Sequence, residues 1–178
     1  MASVALLLDV DGVLCPFAAP DAPRDHWPAD TWRVEPIEDL LDVEWSTAVV
    51  DRLRDLTGRP DVEGLWCTTW TWRAPRMLGG VLGLGEDWEY LDHSGGRAFA
   101  EVGWWKAVRA REALALYDGV VWIDDLLDSW RDELAIEGAP APEFWPGGRL
   151  LTLSPAPDRG IEPHHLDAAE AFIEDVLG

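Results

Sequence analysis

Two stretches of this chain, Val4-Ala5-Leu6-Leu7-Leu8 and Gly119-Val120-Val121-Trp122-Ile123, lack any polar alternation and stop abruptly at acids, Asp9-Val10-Asp11-Gly12 and Asp124-Asp125. A strand with one face in water alternates apolar and polar residues. A strand without alternation has to be covered on both faces, which is the situation of a parallel sheet sheathed by helices. A third, largely apolar run from Val62 to Thr69 ends on two hydroxyls, Thr68 and Thr69. Short strands are also predicted over Trp88 to Leu91 and Leu150 to Leu153.

Helical patterns separate these runs. Glu44 to Leu56 spaces Trp45, Val49, Leu53 and Leu56 on one face, and Thr57-Gly58-Arg59-Pro60 stops it. Further helices are predicted over Arg73 to Leu84, Gly103 to Tyr117, Leu126 to Ile136 and Pro163 to Leu177. Loops are predicted at Ser94-Gly95-Gly96 and from Ala139 to Gly148. Strands alternating with helices give the α/β class, a three-layer sandwich with a parallel sheet. The 178 residues suit a single domain, 1–178, with a proline-rich, loop-rich flap or small cap insertion at about 15–44 that has room for a short hairpin.

Composition narrows the function classes. Acids outnumber bases 34 to 14, a net charge of −20, which is the wrong sign for an extended nucleic-acid surface. Twelve Trp and 48% hydrophobic residues supply what disordered chains lack. Cys15 and Cys67 lie in apolar segments and read as small buried thiols, not a disulfide framework. The four histidines have no zinc spacing, and no stretch approaches the ~18 apolar residues that span a bilayer. With Asp9 interrupting the first apolar run, a signal peptide is not expected and the cytoplasm is the expected compartment. Among the 14 basic residues, Lys106 is the single lysine.

In a parallel sheet, ligands bind beyond the carboxyl ends of the strands. Asp9, Asp11, Thr68, Thr69, Asp124 and Asp125 all fall at that edge. Four carboxylates brought together raise one another's pKa unless a cation joins them, and hard oxygen ligands in that number suit Mg²⁺. A divalent ion beside a hydroxyl and one lysine makes an anion-receiving pocket, and phosphoryl groups are its natural guest.

The motifs also carry a resemblance. Asp9-Val10-Asp11-Gly12-Val13-Leu14 after an apolar strand resembles the first motif of the haloacid dehalogenase superfamily. Thr68, after Leu65-Trp66-Cys67, is similar to the second; Lys106, on a helix before the fourth strand, to the third; Val120 to Asp125 to the fourth. The order matches across residues 4 to 125. The length, Trp70, Trp72 and Trp-Ile-Asp-Asp resemble small bacterial members with a minimal cap, some of which occur as domains associated with RNA repair.

The resemblance implies a haloacid dehalogenase-like fold and a Mg²⁺-dependent phosphohydrolase, a phosphomonoesterase working through an aspartyl-phosphate. Asp9 would be the nucleophile, Asp11 the general acid and base, Thr68 the holder of a phosphoryl oxygen and Lys106 the neutralising charge. Mg²⁺ would be held by Asp9, the Asp11 carbonyl oxygen and Asp124, with Asp125 in support; Asp128 matches a variant spacing from Asp124. Gly12 would permit the turn after the strand, and Thr69 competes with Thr68 for the phosphoryl group. The implied substrate is a phosphorylated small molecule or the terminal phosphate of a macromolecule.

Two other classes compete. A receiver-type phospho-acceptor domain also uses an acidic pair, a phosphorylated Asp, a hydroxyl and a lysine, but places the lysine at the end of a late strand. A non-catalytic interaction module would keep the fold alone. Trp66, Trp104, Trp105, Trp122 and Trp130 read as core. Trp27, Trp32, Trp70 and Trp72 fall on loops near the catalytic edge, while Arg24, Arg33, Arg73 and Arg76 read either as ion-paired surface or as contacts to a second substrate anion.

Overall fold

A computed structural model describes residues 2–17, 24–37, 41–93, 104–139, 142, 145 and 147–178. Among these residues the strands are β1 (Val4–Leu8), β2 (Trp32–Ile37), β3 (Leu41–Ser46), β4 (Val62–Trp66), β5 (Glu89–Tyr90), β6 (Gly119–Ile123) and β7 (Arg149–Leu153). The helices are α1 (Thr47–Thr57), α2 (Gly79–Leu82), α3 (Trp105–Leu114), α4 (Leu127–Glu137) and α5 (Pro163–Leu177). The predicted Ser94-Gly95-Gly96 loop and the start of the third predicted helix at Gly103 lie outside the described residues. So do residues 18–23 and 38–40 of the predicted flap.

β1, β4, β5, β6 and β7 form one parallel sheet in the order β5-β4-β1-β6-β7. The chain enters at the centre, runs out to β5, then returns across β1 to β6 and β7. That reversal beside β1 is where an open α/β sheet leaves a crevice at its carboxyl edge.

The two apolar runs are fully buried strands, for the expected reason. Ala5 and Leu7 of β1 point into a core shared with Ala107, Ala110 and Leu114 of α3 and Leu127 and Trp130 of α4. Val4, Leu6 and Leu8 point into the opposite core, with Val49 and Leu53 of α1 and Leu166, Ala169 and Ile173 of α5. Helices therefore cover both faces: an α/β protein with a parallel sheet. No helix among the described residues is long and apolar enough to cross a membrane.

The structure corrects several sequence-predicted boundaries. Glu44 and Trp45, read as the start of the first helix, belong to β3, because residues 41–46 pair antiparallel with 32–37. Their helix-like spacing arises from Trp45 and Val43 both facing the core of the hairpin. The helix begins one residue after Ser46, whose Oγ accepts the Ala48 N–H at 3.2 Å. The predicted helix over Arg73 to Leu84 is a π-helical turn, Ala74–Leu78, running into the one-turn α2, with Gly83 in the left-handed region ending it. The predicted strand Val62 to Thr69 stops at Trp66, freeing Thr68 and Thr69 for the crevice.

α5 begins with a capping box: the Glu162 N–H donates to His165 Nδ1 at 3.0 Å, with Pro163 in the first turn. Burial, reinforced by the neighbouring His164, pushes the His165 imidazole down to about 4. Neutral His165 is the acceptor the cap needs. Between pH 4 and 6.5 the unfolded chain binds the proton more readily, so stability contributed here is present at neutral pH and lost as pH falls through that window. Replacing His165 with Gln, which keeps an acceptor but cannot titrate, is expected to remove about 1 kcal/mol of the acid-side loss. Denaturant midpoints measured from pH 7 to pH 4 in both proteins test this, and parallel curves would refute it.

Candidate active site at the carboxyl edge of the sheet

β1 and β6 end level with each other, Leu8 opposite Ile123. The next residue on each strand is therefore an aspartate: the Asp9 N–H donates to the Ile123 carbonyl at 3.1 Å and the Asp124 N–H to the Leu153 carbonyl at 3.1 Å. Continuing the strands' register by one residue puts Asp9 beside Asp124, although they are far apart in the chain. Both are buried, Asp9 at 5% and Asp124 at 0% exposure. Carboxylate oxygens of Asp9, Asp124 and Asp125 lie within 4.8 Å of one another.

Lys106, in the first turn of α3, reaches into this group. Its Nζ lies 2.7 Å from Asp9 Oδ2 and 2.6 Å from Asp124 Oδ2, and it is itself 3% exposed. Burial alone would disfavour the ammonium, but the Asp9 and Asp124 carboxylates hold its pKa above the ordinary lysine range. One ammonium cannot satisfy three carboxylates. Burial, aided by the Asp9 charge, pushes Asp124 up to about 7, and burial also raises Asp125. The Leu126 N–H donating to Asp124 Oδ1 at 3.0 Å opposes that rise without cancelling it.

This charge imbalance is the fit test for a cation. Three clustered carboxylates, when all are ionised, outweigh one ammonium by two negative charges, which a divalent ion would balance. The donors are all hard oxygens, the set that suits Mg²⁺. Asp128 is not part of the cluster. It is exposed on α4 and pairs with Arg131 at 3.1 Å. Asp125 is held instead by its backbone, whose carbonyl accepts from Ser154 Oγ at 3.2 Å.

Asp11 follows on the loop leaving β1. Its Oδ2 accepts the Trp70 indole N–H at 2.9 Å. Burial raises its pKa; the Trp70 hydrogen bond opposes the shift and the Asp9 charge adds to it. Gly12 makes the sharp turn here with φ +73, and a Cβ on it would lie 2.7 Å from Asp125 Oδ2 and 3.1 Å from Pro157 Cβ. Gly12→Ala should therefore cost about 1–2 kcal/mol in backbone conformation alone and push Asp125 out of the cluster. A lower denaturation midpoint is expected; an unchanged midpoint would mean that the turn does not need the glycine.

The structure separates the two threonines. Thr68 is fully buried, its Oγ1 accepting the Trp70 N–H at 3.4 Å, while Thr69 is exposed. Cys67 holds the loop in register, its N–H donating to the Leu8 carbonyl at 2.9 Å. Both cysteines are buried thiols, and burial pushes Cys15 up to about 12. Of the four loop tryptophans, Trp27 is core, its indole N–H donating to the Ile161 carbonyl at 2.7 Å, and Trp32 donates to the Arg24 carbonyl. Arg24 pairs with Glu44, and Arg33 bonds the backbone carbonyls of Asp30 and Trp32, so both guanidiniums are already engaged. Sequence reading missed the Trp70–Asp11 and Ser154–Asp125 hydrogen bonds; each joins strand ends distant in the chain, and no spacing signals them.

The crevice thus gathers Asp9, Asp124, Asp125 and Lys106 into one charged cluster, with Asp11 and Thr68 on the adjoining loops. No protein-family model, curated protein or solved structure matches this chain.

Proposed function

We propose that the protein is a Mg²⁺-dependent phosphomonoesterase of the haloacid dehalogenase-like type. The observation that carries this reading is the buried Asp9–Lys106–Asp124 bridge beside Asp125, a surplus of negative charge at a sheet edge. Asp9, Asp124 and Asp125, with the Asp11 carbonyl, would hold Mg²⁺. Once bound, the ion would neutralise phosphoryl oxygens and permit an anionic ester to approach an anionic nucleophile.

Asp9 attacks phosphorus, forming an acyl-phosphate bond while the ester P–O bond breaks. The departing oxygen takes its proton from Asp11. Water then attacks the phosphorus, giving its proton to the Asp11 carboxylate as the Asp9–phosphorus bond breaks and inorganic phosphate leaves. A raised Asp11 pKa suits the first half of that cycle. Lys106, 2.7 Å from Asp9 Oδ2, orients the nucleophile, and the Thr68 hydroxyl donates to a phosphoryl oxygen. Lys106 stands on α3, preceding Asp124 in the chain, unlike the late-strand lysine of a receiver domain.

A phosphate-release screen over sugar phosphates, nucleotides and phosphorylated oligonucleotide ends tests the reading. Activity with Mg²⁺ is expected to fall at least about 100-fold on chelation and to return when the ion is restored. No release from any class would overturn the proposal, and stable phosphorylation by a small phosphodonor without turnover would favour the receiver reading instead.

A further inference from the structure

We propose that Trp72, Arg73 and Arg76 receive a second anionic group of the substrate, so that the preferred substrates are small esters carrying two phosphates. This rests on the phosphomonoesterase reading above and names its substrate class.

The first step is location. Asp11 is the group that hands its proton to the departing oxygen, and Trp70 touches Asp11 at 2.9 Å. The loop leaving β4 therefore rises on the leaving-group side of the crevice. From Trp70 the chain coils tightly: the Arg73 N–H donates to the Trp70 carbonyl at 3.0 Å and the Ala74 N–H to the Thr71 carbonyl at 3.1 Å. Thr71 between them has φ +50, the only positive φ outside glycine among the described residues. A left-handed threonine costs about 1–2 kcal/mol, and such strain persists where the surroundings impose it, often at functional sites. Arg73 lies three residues from Trp70, at most about 11 Å along an extended chain, and the turn shortens that.

The second step is charge. In a chain of net charge −20, arginines are readily taken up by acids, as Arg52 is by Asp167 and Glu170, and Arg159 by Asp25 and Glu162. Among the described residues, Arg73 and Arg76 meet no carboxylate. Both stand over the same indole, their Cζ atoms 4.8 and 5.6 Å from the Trp72 ring centroid. Trp72 is 43% exposed, so its ring face and the guanidiniums on it are open to a ligand. Stacking ties both exposed guanidiniums to one indole, and a phosphate dianion bound there would be met by charge-assisted hydrogen bonds.

The third step is exclusion. With a divalent ion bound the cluster's charges balance, so it has no spare positive charge for an anion beyond the reacting phosphate. A second phosphate on the leaving portion has to be met outside that cluster, and the Trp72 platform supplies free positive charge on the side where that portion departs.

The test compares kcat/KM within matched pairs: fructose 1,6-bisphosphate with fructose 6-phosphate, and 2,3-bisphosphoglycerate with 3-phosphoglycerate. The bisphosphate is expected to be preferred by about tenfold or more in at least one pair. The Arg73→Gln/Arg76→Gln double variant should reduce that ratio to about twofold or less, through a higher KM for the bisphosphate. Arg59→Gln, at the opposite end of the sheet, should leave the ratio intact. No preference in either pair, or a preference that survives the double variant, overturns the proposal. Equal loss in Arg59→Gln also overturns it, assigning the effect to overall charge. Should no ester be hydrolysed, calorimetric binding of fructose 1,6-bisphosphate to the wild-type chain and the double variant decides separately. Arginine-dependent binding would retain the anion site and sink the phosphomonoesterase reading, and its absence would sink the anion site as well.

Discussion

Asp9→Asn is expected to lower phosphate release by about 10⁶-fold, the scale seen when a covalent nucleophile is removed, and to leave the fold intact. The amide keeps an oxygen that can accept from Lys106, so the contact made at 2.7 Å is retained in weaker form. It cannot attack phosphorus as a carboxylate does. Removing one of three competing carboxylates also eases the charge surplus around Lys106. The metal-free melting temperature should therefore match or slightly exceed that of the wild type, while the rise on adding Mg²⁺ should shrink. Turnover assays, acid-quench trapping of radiolabelled phosphoenzyme and thermal melts with and without Mg²⁺ separate these effects. Full activity in the variant would remove Asp9 from the chemistry altogether.

Lys106→Met should produce the largest loss of stability. Met fills nearly the same volume, so packing is preserved and the charge alone is deleted. Asp9 and Asp124 would then be buried without their common partner, and stranding a buried charge costs about 3–5 kcal/mol. The cost should show in metal-free denaturation at neutral pH. It should shrink in millimolar Mg²⁺, because an ion that binds only the folded state stabilises in proportion to its saturation. Catalysis should not recover, since on the proposed mechanism Lys106 also orients the nucleophile Asp9. Lys106→Arg is expected to rescue neither property, because a planar fork does not fit between two carboxylates arranged around a compact ammonium. A Lys106→Met protein as stable as the wild type without Mg²⁺ would mean that the folded cluster does not depend on the ammonium.

The bounds of β1, β6 and α5 coincide with the sequence reading, because each carries its signal locally. Unbroken apolar runs mark β1 and β6, and Pro163 opens a long apolar-faced helix at α5. The start of the first helix lies three residues later than the sequence pattern predicts, since Val43 and Trp45 alternate into the core from a strand that pairs with the preceding β2. The helix predicted over Arg73 to Leu84 dissolved into two short turns because glycines at 79, 80 and 83 leave too little to propagate it.

The candidate site divides the same way. Asp9, Asp11, Thr68, Lys106, Asp124 and Asp125 were legible because each stands at a strand end or on a helix face that sequence pattern predicts. Asp125 and Asp128 were not separable by spacing; the structure turns Asp128 outward to Arg131 and keeps Asp125 beside Asp9. Nor were Thr68 and Thr69, until one proved buried and the other exposed.

The amino-acid sequence by itself determined that the chain would bury strands on both faces and that their carboxyl ends would be acidic, because these properties belong to consecutive residues. Only the tertiary structure decided which acids share one lysine, which indole reaches Asp11 and which arginines are left without a carboxylate. Those facts depend on how distant strand ends are brought into register, and distances of 2.6 and 2.7 Å around Lys106 arise from sheet packing that no local pattern encodes.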